Sequence, residues 1–250
     1  MDGVLWHDSN PIGNLPEIFA GINRLGLKVT FATNNATKSV DEFVNKLASF
    51  GVTTNREQVV TSADAALRYI SRRYVQGSRV YILGSDSLRK LVEKNGFVVL
   101  DDNEPAKAEL VLVALATDIT YEKLGNAAIL IRGGAHFIAT NTDATYPTPR
   151  GQMPGAGTIV AAVAAASGQE PLVIGKPQPT MFEQAMEFMG LQPHETLCVG
   201  DRLETDVLGA QNAGCPTALV LTGVSTWEQT QAWRPQPTII AKDLSSLIYD

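Results

Sequence analysis

Cysteine is nearly absent from this chain. Cys198 and Cys215 are its two thiols. No Cys-x-x-Cys and no histidine cluster accompanies them, which argues against zinc or a disulfide framework. Both stand in apolar, strand-like segments and read as buried thiols of a reducing compartment. Histidine is as scarce: His7, His136 and His194 are scattered, and none has a partner suggesting a triad or a metal site. Long apolar runs are missing too. The longest, Ile159 to Ala166, is Ala-rich and far too short to span a bilayer. No basic segment precedes an apolar one at the start, so no signal peptide is expected. Basic charge is also in short supply. Lys and Arg total 20 against 26 Asp and Glu, a net charge of -6, and no basic stripe offers itself to nucleic acid. The expectation is a cytoplasmic protein with neither nucleic acid nor membrane as partner. A small anionic substrate stays compatible, because local charge at a site can oppose net charge.

What is present is an ordinary globular composition, 44% hydrophobic and 18% charged over 250 residues, enough for one large domain or two smaller ones. Strand and helix signals alternate along its length. Pro16 to Leu25 reads as a helix, Leu27 to Thr33 as a strand, and Ser39 to Phe50 as a helix stopped by Gly51. Further strands are expected at 58–60, 79–83, 97–100, 110–115, 136–140, 172–175, 197–199, 217–221 and 238–241, with helices between most of them. Residues 141–157 read as a loop rich in Thr, Pro and Gly. This rhythm means α/β architecture with a mainly parallel sheet. The strands are too many for one sheet, so two modules are expected, with a middle section inserted between two parts of the other.

Four fragments carry chemistry, each at or just past the C-terminal end of an expected strand: Asp2-Gly3-Val4, Thr33-Asn34-Asn35, Gly175-Lys176-Pro177, and Gly200-Asp201 with Thr205-Asp206. Such strand ends share one edge of a parallel sheet, so residues distant in sequence can meet there. The Thr33 hydroxyl and Asn34 amide can donate to phosphoryl oxygens, Lys176 supplies positive charge, and Asp201 with Asp206 would hold a cation whose hard-oxygen preference suits Mg²⁺. Singly, each has a plainer reading. Asp201 can start a turn and Asp206 cap a helix, Thr33-Asn34-Asn35 can be a turn, and Lys176 can be a solvated lysine. No Gly-x-Ser-x-Gly elbow appears, and Pro154-Gly-Ala-Gly157 lacks the spacing of a dinucleotide-binding loop.

In their order these fragments resemble the haloacid dehalogenase superfamily of phosphatases. Asp2-Gly3-Val4 resembles the end of the first motif, Asp-x-Asp-Gly-(Val/Thr). Thr33 resembles the second motif, Lys176 the third, and Gly200 to Asp206 the fourth. An insertion between the second and third motifs, with Ala139 to Asp143 and Pro154 to Gly157, resembles subfamily IIA, which includes NagD-like, 4-nitrophenyl and phosphoglycolate phosphatases. The resemblance implies a Rossmann-like parallel-sheet core from 1–62 and 172–250 and an inserted α/β cap of the C2 type from 63–171. It also implies Mg²⁺ as cofactor, held by the Asp2 backbone carbonyl, Asp201 and Asp206. Asp2 would be the general acid and base, and Lys176 would offset repulsion between nucleophile and substrate. Thr33, Asn34 and Lys176 would bind the phosphoryl oxygens of a small phosphorylated metabolite. Asn141 and Asp143 would either select the leaving group or only turn the chain. Family members often pair through the cap, which makes a homodimer an expectation.

One residue of that pattern lies outside the sequence. The leading Asp of the first motif would stand two places before Asp2, and Met1 occupies the middle position. A strand and nucleophile encoded upstream of an internal Met are expected, and the 250-residue chain as written is expected to be inactive and less stable. The alternative is a non-catalytic protein that keeps the phosphate and metal pocket for binding.

Overall fold

The computed structural model describes residues 1–101, 107–148 and 150–249. Two compact units share the chain: residues 1–33, 40–60 and 176–250 form one, and residues 34–39 and 61–175 the other. The α/β alternation expected from sequence is present in both.

The first unit holds a parallel sheet of three strands in the order Cys198–Gly200, Thr217–Val220, Ile239–Ala241. Its main core gathers Trp6, Leu15, Ile18, Phe31, Phe43 and Leu47. Helix Leu15–Arg24 supplies Leu15, Ile18 and Ile22 from one face, and its start is capped by the Asn14 side chain accepting from the Glu17 amide. Helix Val40–Ser49 buries Val40, Phe43 and Leu47 by the same spacing. The strand expected from Leu27 is shorter, Phe31–Thr33. Upstream of it, the Val29 carbonyl accepts from Gln58 Nε2 at 3.1 Å, so a side chain takes a place that a neighbouring strand would fill. Short elements carried too weak a pattern to be expected, among them the hairpin Trp6–His7 with Asn10–Pro11 and the helices Trp227–Ala232 and Ser246–Tyr249.

The second unit is built on a five-stranded parallel sheet, ordered Leu172–Val173, His136–Ala139, Leu110–Val113, Arg79–Leu83, Val98–Val99. Leu110–Val113 is apolar at every position and fully buried, as a strand covered on both faces must be. Helices Ser62–Ser71, Asp86–Lys94 and Tyr121–Arg132 begin on Thr61, Ser85 and Thr120, whose side chains accept from amides in the first turn. Strand Leu172–Val173 pairs with His136–Ala139, so its ladder belongs to this unit, whereas the division at 172 places it with the chain that follows. The stretch 141–157, expected as loop, contains the hairpin Thr145–Thr148 with Gly151–Pro154. Its prolines hid it: a two-stranded ribbon has outer edges that need no N–H, so proline fits there.

Candidate active site

Strand Cys198–Gly200 delivers Asp201, which is 8% exposed. Asp201 Oδ2 accepts from the Val224 amide at 2.9 Å, and its backbone carbonyl accepts from the Ser225 amide at 3.0 Å. Glycine is required on two sides of it: a Cβ built on Gly3 or on Gly223 would overlap the Asp201 carboxylate. Gly3 also has φ +72°, which other residues rarely adopt.

Past Arg202 the chain makes a widened helical turn, Leu203–Val207, with the Val207 amide reaching back five residues to the Arg202 carbonyl at 3.2 Å. One extra residue in a turn re-aims the side chains after it. Here it brings Asp206 against Gly200, where a Cβ would overlap the Asp206 side chain. Asp206 Oδ2 accepts from the Arg202 amide at 3.2 Å, and Oδ1 accepts from Lys176 Nζ at 2.6 Å. Lys176 is 7% exposed, which rules out the solvated-lysine reading.

The two carboxylates titrate in opposite directions. Burial pushes Asp201 above the usual carboxylate range, and the Asp206 charge adds to the push. Burial also opposes the Asp206 charge, but Lys176, with other nearby positive charge and the Arg202 amide, outweighs it and holds that group low. Asp206 is thus the anion in contact with Lys176, and Asp201 the one for which nearby positive charge does not offset burial and the Asp206 charge.

Thr33 is buried at the end of strand Phe31–Thr33. Asp2 is exposed, and its Oδ1 accepts from the indole N–H of Trp6 at 2.8 Å. Trp6 is itself fully buried, with Lys46 Nζ 4.2 Å above its ring. The carbonyl of Gly3 accepts from Thr222 Oγ1 at 2.6 Å. Sequence reasoning did not single out Trp6 or the segment 222–225. The one available signal for the latter was Thr222-Gly223 just past strand Thr217–Val220, the same place in a strand unit that Asp201 occupies.

The remaining expected site residues, Asn34, Asn141 and Asp143, lie in the second unit and bond to one another. Asn34 Nδ2 is 3.2 Å from each Asp143 carboxylate oxygen. Asn141 Nδ2 donates to the Asn34 carbonyl at 2.9 Å, and its Oδ1 accepts from the Asp143 amide at 3.1 Å. That last bond is a turn made by an Asn side chain two residues on. Gly157 packs under it, with room for no Cβ against the Thr142 carbonyl.

As a cation site, Asp201 and Asp206 offer hard carboxylate oxygens in a buried place where burial and mutual repulsion disfavour the Asp201 charge, and that donor set suits a hard divalent ion. Among the described residues no three Asp, Glu, His or Cys side chains gather as a metal cluster. Asp2 does not join the pair through its carboxylate, which bonds to Trp6; the role implied for it uses its backbone carbonyl. Among the described residues no helix is long and apolar enough to cross a membrane.

Comparison with known proteins accords with this geometry. A family model described as haloacid dehalogenase-like hydrolase matches residues 1–98, and a second, HAD-hydrolase-like, matches residues 173–247. An acid sugar phosphatase of Staphylococcus aureus is 36% identical over 248 residues, covering 99% of this chain and 94% of that protein. The solved structure of a 4-nitrophenylphosphatase from Thermotoga maritima superposes with a TM-score of 0.92 at 33% identity, covering 100% of this chain and 94% of its own. A glycerol phosphate phosphatase from Mycobacterium tuberculosis, solved in complex with magnesium, has a TM-score of 0.90 at 36% identity, covering 100% of this chain and 75% of its own. With two matching family models and a relative of this identity along nearly its whole length, the chain belongs to the haloacid dehalogenase superfamily and to its subfamily IIA of phosphatases.

Proposed function

We propose that the protein is a Mg²⁺-dependent phosphomonoesterase for a small phosphorylated metabolite. The observation that carries this is a buried ammonium 2.6 Å from one carboxylate, with a second buried carboxylate close enough to be pushed up by the first. A phosphoryl group needs the ammonium, and the carboxylates need a cation. In this reading Asp201 ligates Mg²⁺ directly, Asp206 directly or through water, and Asp2 through its backbone carbonyl. Bound there, the ion would supply positive charge against the negative charge on the phosphoryl oxygens. Thr33 and Lys176 hold those oxygens, and Asn34 is assigned the same task. Asp2 protonates the leaving alcohol and then takes a proton from the attacking water. Trp6 positions it by the indole hydrogen bond. Asn141 and Asp143, joined to Asn34 in one network, are the candidates for selecting the leaving group.

The names of the relatives, acid sugar phosphatase and glycerol phosphate phosphatase, favour a sugar or polyol phosphate. A cytoplasmic location and pairing through the 63–171 segment complete the reading. The alternative reading is phosphate and metal binding without turnover.

Assay of the full-length protein with an aryl phosphate and a panel of sugar and polyol phosphates, with Mg²⁺ or with EDTA, separates the two. Mg²⁺-dependent turnover is expected, strongest on a sugar or polyol phosphate. A protein that binds phosphate and Mg²⁺ without turning over any of the panel would establish the second reading.

A further inference from the structure

Both cysteines of the chain come together behind the strand that carries Asp201. Cys198 opens strand Cys198–Gly200, and its amide donates to the Pro216 carbonyl at 3.0 Å, which sets Cys215 beside it on the neighbouring segment. Cys198 packs against the apolar cluster that contains Cys215. A third sulfur completes the group: Met186, from helix Thr180–Met189, places Sδ 3.6 Å from Cys215 Sγ. Phe182 and Ala210 fill the rest of the cluster, so the surroundings of the three sulfurs are apolar. Cys215 and Met186 are buried, whereas Cys198 is half-buried and gives a route in from solvent.

We propose that Cys198, Cys215 and Met186 form a binding site for one soft monovalent cation, Cu⁺ or Ag⁺. Two thiols and a thioether are the ligand set such ions select, whereas Mg²⁺ and Ca²⁺ take oxygen. Cys215 and Met186 already stand sulfur to sulfur at 3.6 Å, and Cys198 packs against the same cluster. The charge balances as well. One metal–sulfur bond replaces one S–H bond, the proton leaves to solvent, and the remaining thiol and the thioether donate lone pairs. The buried site then gains no net charge. Burial opposes free thiolates here, pushing both thiols up, so these cysteines are poor nucleophiles and stay available as protonated ligands until a cation displaces a proton. The phosphatase reading uses none of the three side chains.

The test is a Cu⁺ titration of the intact 250-residue protein, anaerobic and reduced, against a colorimetric Cu⁺ chelator. One Cu⁺ retained per chain is expected, with no retention by Cys198→Ser or Cys215→Ser. Met186→Leu, a volume-conserving change that keeps the core, should release the ion at a lower chelator concentration. Thermal unfolding of each variant without metal shows that it is folded, and the wild type should gain more melting temperature with Cu⁺ than Met186→Leu, and the serine variants none. No Cu⁺ retained by the wild type would overturn the proposal. So would equal retention by both serine variants, or a Met186→Leu variant with unchanged affinity.

Discussion

In the five-stranded sheet of the second unit, strand His136–Ala139 runs on into Thr140 and Asn141, and the polar groups there satisfy one another: amide to carbonyl, amide to carboxylate, side chain to turn. In the three-stranded sheet of the first unit, strand Cys198–Gly200 runs on into Asp201, and the polar groups there are two buried carboxylates sharing one lysine. Both places are strand ends of parallel sheets and both are closed around by glycine. The difference is how the carboxylates are met. Asp143 is bonded through both oxygens by the Asn34 amide, whereas Asp201 and Asp206 repel each other in a buried place and Asp201 is pushed up, a repulsion that a metal cation can relieve.

Three variants press on that contrast. Lys176→Met should have the largest effect, because it strands the Asp206 carboxylate in a buried site; a loss of about 3–5 kcal/mol in denaturant unfolding is expected, together with loss of phosphate binding. Unchanged stability would mean that Asp206 is neutralised some other way. Gly223→Ala forces a methyl group into the Asp201 carboxylate and should cost about 1–3 kcal/mol. It should also weaken Mg²⁺ binding in isothermal calorimetry, since the displaced group is the proposed ligand. Asn141→Ala should cost about 1–2 kcal/mol by removing the acceptor of the Asp143 amide and one of two donors to the Asn34 carbonyl, which keeps the Ser62 hydroxyl. Its thermal unfolding should shift while Mg²⁺ affinity stays at the wild-type value. A change in Mg²⁺ affinity with Asn141→Ala would erase the distinction between the two strand ends.

Much of the fold was legible because its signals are local. Helix Thr180–Met189 stops at Gly190, and Leu110–Val113 is an apolar run whose burial follows from composition alone. Elements held by tertiary partners were not legible. The hairpin inside 141–157 carries proline where a sheet strand would not, and the segment before Phe31 has the alternation of a strand but bonds to the Gln58 side chain. Among the site residues, the carboxylates and the lysine announced themselves by type and position. Trp6 did not, because a tryptophan in an apolar stretch reads as core, and it is core; only the direction of its N–H makes it a partner of Asp2.

Asp201 and Asp206 show where the boundary lies. The sequence alone determined that two carboxylates five residues apart follow a short apolar strand, that a lysine follows another, and that the order of these fragments is that of a phosphatase family. It did not distinguish the two acids. Tertiary structure decided that: the widened turn at Leu203–Val207 carries Asp206 to Lys176, and Gly3 and Gly223 close over Asp201 without offering it a charge. The physical reason is that a carboxylate's state depends on burial and on the nearest charge, and both are set by residues far away in the chain.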